Sequence, residues 1–158
     1  LSRAGRIIGE KVDVDLREIV RRSFVEHYIS ASEADLVMPQ DYIPVKVDPD
    51  SFSLVVNNLM QNAFRYKDPD KEKLKIDFGI IKNGSSTTLV FSDNGKGMDE
   101  KELSRIFQTG YTSNKKIGNG FGLTIVQKIV EAHNGIIRAE SKGKKQGSVF
   151  YICLNDCK

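Results

Sequence analysis

Three stretches of this chain hold residues whose types and spacing could do chemistry. Asn58 and Asn62 stand four apart in the periodic run from Phe52 to Tyr66, one turn apart if that run is a helix. An amide oxygen suits a hard cation such as Mg²⁺, which takes amide and phosphate oxygens together. An ordinary buried amide bonded to backbone fits the same pattern, because leaving it unpaired costs on the order of 2 to 7 kcal/mol. Asp93-Asn94-Gly95-Lys96-Gly97-Met98 follows an apolar run and places a carboxylate at a strand end, although Asp-x-Gly also makes plain type I or II turns. Gly118-Asn119-Gly120-Phe121-Gly122-Leu123 opens an amphipathic run. Backbone donors and the dipole at such a helix start can hold phosphate oxygens where no side chain blocks approach. A flexible loop end has the same composition. The glycine spacing differs from the dinucleotide-binding fingerprint.

The surrounding elements must position these residues. Val12 to Leu16 alternates apolar and polar, as a short strand does, and Leu16 to Ile29 carries apolar residues at helical spacing. Leu36-Val37-Met38 and Ile43 to Val47 flank Pro39-Gln40-Asp41, which predicts a hairpin with Pro44 near a sheet edge. Asp48-Pro49-Asp50-Ser51 is a helix start signal before Phe52 to Tyr66. On that helix Phe52, Val55, Val56, Leu59, Ala63 and Tyr66 share a face, with Asn62 along its margin. Leu74 to Lys82 and Thr87 to Ser92 read as strands joined by Asn83-Gly84. Gly95 to Gly120 reads as a long loop with a short helical piece near Leu103 to Phe107, and a loop of that length in a compact domain suggests a lid. Phe121 to His133 predicts an amphipathic helix stopped by Asn134-Gly135, followed by a hairpin of Ile136 to Glu140 and Gly147 to Leu154. Three long helices among strands that pair mostly as hairpins predict an α+β fold, a two-layer sandwich with helices on one face of a mixed sheet.

At 158 residues, with 39% hydrophobic content, the chain has material for one packed domain. The 24 basic and 21 acidic residues leave a net charge of +3, with bases scattered except near Lys142 to Lys145, so no nucleic-acid partner is expected. No run approaches the roughly 18 apolar residues needed to span a bilayer, and Leu1 to Gly5 is not a signal peptide, so a cytoplasmic location is expected. Cys153 and Cys157 lack partner histidines at metal-ligand spacing and are expected to be reduced thiols. Leu1 to Glu10 looks like the end of a longer helix, which divides the chain into 1–10, the end of a preceding domain or a linker, and 11–158, the domain itself.

In combination and in this order, these elements resemble the catalytic and ATP-binding domain of two-component sensor histidine kinases. That group lies within the superfamily shared with gyrase, the large heat-shock chaperone ATPases and the mismatch-repair ATPases. The likeness covers about residues 11 to 154. Asn58 to Tyr66 resembles the family's N box, Asp93 to Gly97 its G1 box, Phe107 its F box and Gly118 to Leu123 its G2 box. His133-Asn134-Gly135-Ile136 and Gly147 to Phe150 are similar to the family's way of leaving the last helix and closing the sheet.

The resemblance implies the Bergerat fold with a long ATP lid, and ATP and Mg²⁺ as cofactors. Asn62 would coordinate Mg²⁺, supported by Asn58 one turn earlier, with Arg65 where the family commonly has Lys. Asp93 would accept a hydrogen bond from the adenine amino group, and Tyr66 would pack on the ring. Gly95 and Gly97 would let the backbone pass close to the base, with Met98 beside them. Gly118, Gly120 and Gly122 would admit the phosphates, flanked by Phe121 and Leu123. Lys115 and Lys116 would reach phosphate from the lid or stay as solvated loop charges. Phe107 is followed by Gln108 to Tyr111 where many members place Pro and a second Phe, so Tyr111 would substitute as the lid's anchor. Hydrolytic superfamily members carry Glu where this chain has Asn58, which favours phosphoryl transfer over hydrolysis. His27 and His133 lack the acidic residue that follows the family's acceptor histidine, so the acceptor would lie upstream on a dimerisation domain. The implied partners are that domain directly and a response regulator indirectly, with this domain monomeric and the full-length protein a homodimer, with or without a membrane anchor. The alternatives are a regulatory ATP-binding module without phosphotransfer, a hydrolytic ATPase, and a serine kinase of the anti-sigma-factor type.

Overall fold

Period-two burial and capped, apolar-striped helices set the elements that surround the candidate residues. The structure, a computed structural model, describes residues 8–27, 33–108, 110–111 and 122–157. Strand β1 (Val12–Asp15) runs directly into helix α1 (Leu16–His27), whose Leu16, Ile19 and Val20 are buried. Next come β2 (Ala34–Val37) and β3 (Pro44–Val47). Helix α2 (Pro49–Arg65) starts where the sequence signals it: the Asp48 carboxylate accepts from the Asp50 N–H at 3.3 Å, and Pro49 occupies the first turn, where its missing donor costs nothing.

The chain then forms the hairpin of β4 (Leu74–Asn83) and β5 (Ser86–Asp93), turning at Gly84 with φ of +63°. A single-turn helix α3 (Glu100–Leu103) follows, then α4 (Gly122–Ala132) and the antiparallel pair β6 (Ile136–Glu140) and β7 (Ser148–Leu154). The five-stranded sheet runs β2-β4-β5-β7-β6, parallel only between β2 and β4, while β1 and β3 form a separate antiparallel ribbon. One sheet face supplies Ile76, Phe78, Leu89, Phe91, Phe150 and Ile152 to the core. Phe52, Val55, Met60, Val126 and Val130 meet them from the helices, with α1 and α4 both packed against α2. Each fully buried large side chain contributes roughly 1.5 to 3 kcal/mol. The result is the mixed-sheet, two-layer α+β sandwich expected.

Three local expectations are corrected. The turn residues at 39–41 do not close a hairpin, because β2 pairs with β4 and β3 with β1. Turn chemistry reports a local reversal, whereas pairing was decided by distant strands that bury Ala34, Val45 and Val47. The short helix expected near 103–107 sits earlier, at Glu100–Leu103, because the Asp99 carboxylate caps it by accepting from the Glu102 N–H at 2.8 Å. Cys153 and Cys157 are joined as a disulfide with Cα atoms 5.8 Å apart, where free thiols were expected. The chain doubles back after β7 through Asn155 and Asp156, both at positive φ, which brings the two cysteines together. Among the described residues no helix is long and apolar enough to cross a membrane.

Candidate functional site

The C-terminal half of α2, the end of β5, the 97–111 segment and the start of α4 enclose an open cleft of about 850 Å³, part of it continuous with solvent. At one end is Asp93. Its Oδ1 accepts from the Gly95 N–H at 2.8 Å, and Ser148, its cross-strand neighbour in the β5–β7 register, supplies a second backbone donor. The carboxyl is enclosed, and loss of solvation pushes its pKa up to about 6. The two backbone donors and the charge of Lys71 pull the other way. Tyr66, Met98, Ile106, Tyr111 and Leu123 add largely apolar walls around it. A carboxylate at the bottom of an apolar slot fits a flat ring that presents an amine donor.

The other end is built from amides and a helix start. Asn58 and Asn62 project from consecutive turns of α2 into the cleft. Asn58 Nδ2 donates to the Leu54 carbonyl at 2.8 Å, which fixes the rotamer and turns its oxygen toward α4. A Cβ added at Gly122 would lie 2.9 Å from that oxygen, so glycine is what lets α4 begin against α2. Arg65, exposed at the last turn of α2, is the cation on this wall. Neutral amides, an arginine and a helix N-terminus form a cradle for an anion such as a phosphate chain.

A family model for the histidine kinase-, DNA gyrase B-, and HSP90-like ATPases matches residues 47–157. The chain belongs to that ATPase family. Over 150 residues it is 32% identical to the sensor protein kinase WalK of Staphylococcus saprophyticus, covering 89% of this chain and 24% of that protein. It is 31% identical to WalK of Staphylococcus epidermidis over the same shares. The chain thus spans about a quarter of the length of these curated relatives. Among solved structures, the mycobacterial sensor histidine kinase MprB superposes with a TM-score of 0.78 at 22% identity, covering 92% of this chain and 97% of that one. The nucleotide-free catalytic domain of the histidine kinase ThkA superposes at 0.77 with 24% identity, covering 93% and 96%. The fold is therefore that of histidine kinase catalytic domains, the Bergerat fold.

Within this ATPase-family domain, ten of the expected residues meet in the cleft: Asn58, Asn62, Arg65, Tyr66, Asp93, Gly97, Met98, Tyr111, Gly122 and Leu123. Lys115, Lys116, Gly118, Gly120 and Phe121 lie outside the described residues. Gly95 and Phe107 stand back from it. Phe107 packs edge-on against Phe150 with ring centres 6.5 Å apart, so it anchors the segment to the sheet and does not line the cleft. Tyr111 faces the cleft under the Arg105 guanidinium, 4.9 Å from its ring centre.

The glycines of the 93–97 turn also have a different rationale from the one expected. A Cβ at Gly95 would sit 2.6 Å from the Tyr66 carbonyl, and at Gly97, where φ is +68°, 2.2 Å from the Gly143 carbonyl. Neighbouring backbone demands glycine there before any ligand does. Sequence reasoning missed Glu102, Ile106 and Ser148. Glu102 had a signal in the Asp99-x-x-Glu102 cap pattern, whereas Ser148 becomes visible only once β7 is known to pair with β5.

Both histidines have structural roles. His133 is buried; its Nδ1 lies 2.8 Å from the Ile129 carbonyl and its Nε2 accepts from the Asp48 N–H at 3.0 Å. Because a backbone N–H can only donate, Nε2 carries no proton and Nδ1 donates. Burial lowers its pKa, consistent with a neutral ring. His27 Nδ1 is 2.8 Å from the Ser23 carbonyl, and the residue does not line the cleft.

Proposed function

We propose that this chain is the ATP-binding catalytic domain of a sensor histidine kinase, moving the γ-phosphoryl of ATP to a histidine outside residues 1–158. The observation that carries the reading is the two-ended cleft, a half-buried, desolvated carboxylate at one end and two amides, an arginine and a helix start at the other. Asp93 would take the adenine amino donor, a choice that disfavours guanine, which presents a carbonyl there. Tyr66 and Met98 would cover the ring. Asn62, with Asn58 behind it, would hold Mg²⁺, which when bound neutralises phosphate charge. Arg65, Gly118, Gly120 and Gly122, and Lys115 and Lys116 would face the phosphates. In transfer, the bond from the γ-phosphorus to the β–γ bridging oxygen breaks and a bond to an imidazole nitrogen forms, leaving ADP and phosphohistidine.

Asn58 supports transfer over hydrolysis, since an amide cannot take a proton from water. His133, buried with both ring nitrogens engaged, is a poor acceptor, which supports an acceptor upstream. Residues 1–10 would then be the tail of the dimerisation and phosphoacceptor domain. The full-length protein would act as a homodimer beside the cytoplasmic face of a membrane and pass its phosphoryl group to a response regulator. The test is a longer chain incubated with ATP and Mg²⁺. Acid-labile, base-stable labelling that Asn62→Ala reduces at least about 100-fold is expected. Labelling undiminished in that variant, or absent altogether, would overturn the proposal.

A further inference from the structure

The turn bearing Asp93 is not held by its own strand alone. On one side the Lys96 N–H donates to the Tyr66 carbonyl at 2.8 Å, and the Asn94 side chain clasps the start of β4 through the Lys75 N–H at 2.8 Å and the Lys73 carbonyl at 2.9 Å. On the other, the Lys145 N–H donates to the Lys96 carbonyl, the Gly147 N–H to the Gly95 carbonyl and the Met98 N–H to Ser141 Oγ. Three loops therefore converge, and one side chain joins all three. Lys71, from the α2–β4 loop, donates from Nζ to the Asn94 carbonyl at 2.7 Å and to the Lys145 carbonyl at 2.7 Å.

We propose that Lys71 is a positioning residue for adenine recognition, clamping the Asp93–Gly97 turn to the 141–147 loop so that the carboxylate and Gly97 keep their places in the cleft. The inference rests on the ATP reading above and deepens it. An ammonium group bridging two carbonyls makes two charge-assisted hydrogen bonds between segments that are 23 and 74 residues away in sequence. Lys71 is only one-third exposed at its side chain and, among the described residues, pairs with Asp68 at 3.9 Å. The other local acid, Asp70, is taken by Lys145 at 2.9 Å. Across the cleft, Glu102 is paired with Lys144, and Arg65 stands at the far end. Among the described residues, Lys71 is the cation whose charge acts on Asp93, where it favours the ionised form against burial. The clamp thus acts on the site both by geometry and by charge.

The experiment uses the 158-residue chain and three variants, Lys71→Met, Lys71→Gln and Lys71→Arg, each checked for native circular dichroism. Two quantities are read: the titration midpoint of the Asp93 carboxyl carbon by ¹³C NMR without nucleotide, and the Kd for ATP by calorimetry at pH 7.5. Lys71→Met and Lys71→Gln are expected to move the midpoint upward and weaken ATP binding about tenfold, with Lys71→Arg restoring both to near wild type. A wild-type protein that binds ATP while Lys71→Met leaves midpoint and affinity unchanged overturns the role of Lys71 and spares the ATP reading. A wild-type protein that binds no ATP overturns the reading itself, and the recognition role with it.

Discussion

Asp93 is expected to work against the stability of the fold that carries it, and Asp93→Asn makes the cost measurable. Its carboxyl has an ordinary pKa of 3.8 and is pushed up to about 6 in the folded chain, chiefly by burial. The folded state therefore binds the proton more tightly than the unfolded one. Ionisation costs the fold nothing below pH 3.8, a growing amount between 3.8 and about 6, and a constant amount above. A rise of that size corresponds to about 3 kcal/mol at full ionisation, of which about half develops between pH 5 and pH 8. Asparagine escapes this cost but pairs less well with the Gly95 and Ser148 donors, an offset that does not vary with pH. Urea unfolding of both proteins at pH 5, 6.5 and 8 should show the stability difference shifting toward the variant by about 1.5 kcal/mol across that range. Affinity for ATP should meanwhile fall on the order of 100-fold at pH 8, as a hydrogen bond to a charged acceptor is lost. A stability difference that is flat with pH, or that shifts toward the wild type, would refute the assignment of Asp93 as a desolvated carboxylate kept for binding.

Two other perturbations separate backbone demand from ligand demand. Gly97→Ala should cost about 3 kcal/mol or more, because φ is +68° and the new Cβ would lie 2.2 Å from the Gly143 carbonyl. Gly84→Ala, at φ of +63° with nothing within 4 Å, should cost only about 1 kcal/mol; equal losses in urea midpoints would discard the close-approach argument. His133→Phe should lose about 1 to 3 kcal/mol by leaving the Asp48 N–H without its acceptor. The His133 pKa is lowered in the fold, so its contribution is complete above pH 6.5 and is lost as pH falls below that value. The gap between wild type and variant should narrow from pH 7.5 to pH 5; a gap independent of pH would mean that His133 does not work as a neutral acceptor.

The features legible in the sequence were those fixed by local chemistry. The Asp48-Pro49 start of α2, the Asn83-Gly84 turn and the Asn134-Gly135 stop of α4 each depend on a few adjacent side chains, and each lies where expected. The assumption that fails at 36–47 is that neighbouring strands pair with each other. β2 crosses to β4, and nothing within ten residues of Pro39 encodes that choice. The site shows the same division. Asn58, Asn62 and Asp93 stood out by type and spacing, but Ser148 and Lys71 enter through sheet register and loop convergence, which exist only in the assembled fold. The disulfide was missed for a related reason: its closure depends on two consecutive positive-φ residues that the sequence does not announce.

The two ends of the cleft are built with different stiffness, and that difference bears on mechanism. The Asp93 end is fixed by backbone hydrogen bonds from three loops and by glycines whose neighbours leave no room for a side chain. It is pre-organised, so a base can bind without ordering the loops that recognise it. The amide end rests on one helix, with Asn58 tied back to Leu54 and its oxygen set against Gly122. A rotation or slide of α4 relative to α2 would change the phosphate end directly while leaving Asp93 in place, because Asp93 belongs to the sheet. Nucleotide affinity and phosphoryl transfer should therefore be separable: substitutions at the Asn58–Gly122 contact should depress transfer in a longer chain while ATP still binds. Substitutions at Asp93 should depress both together.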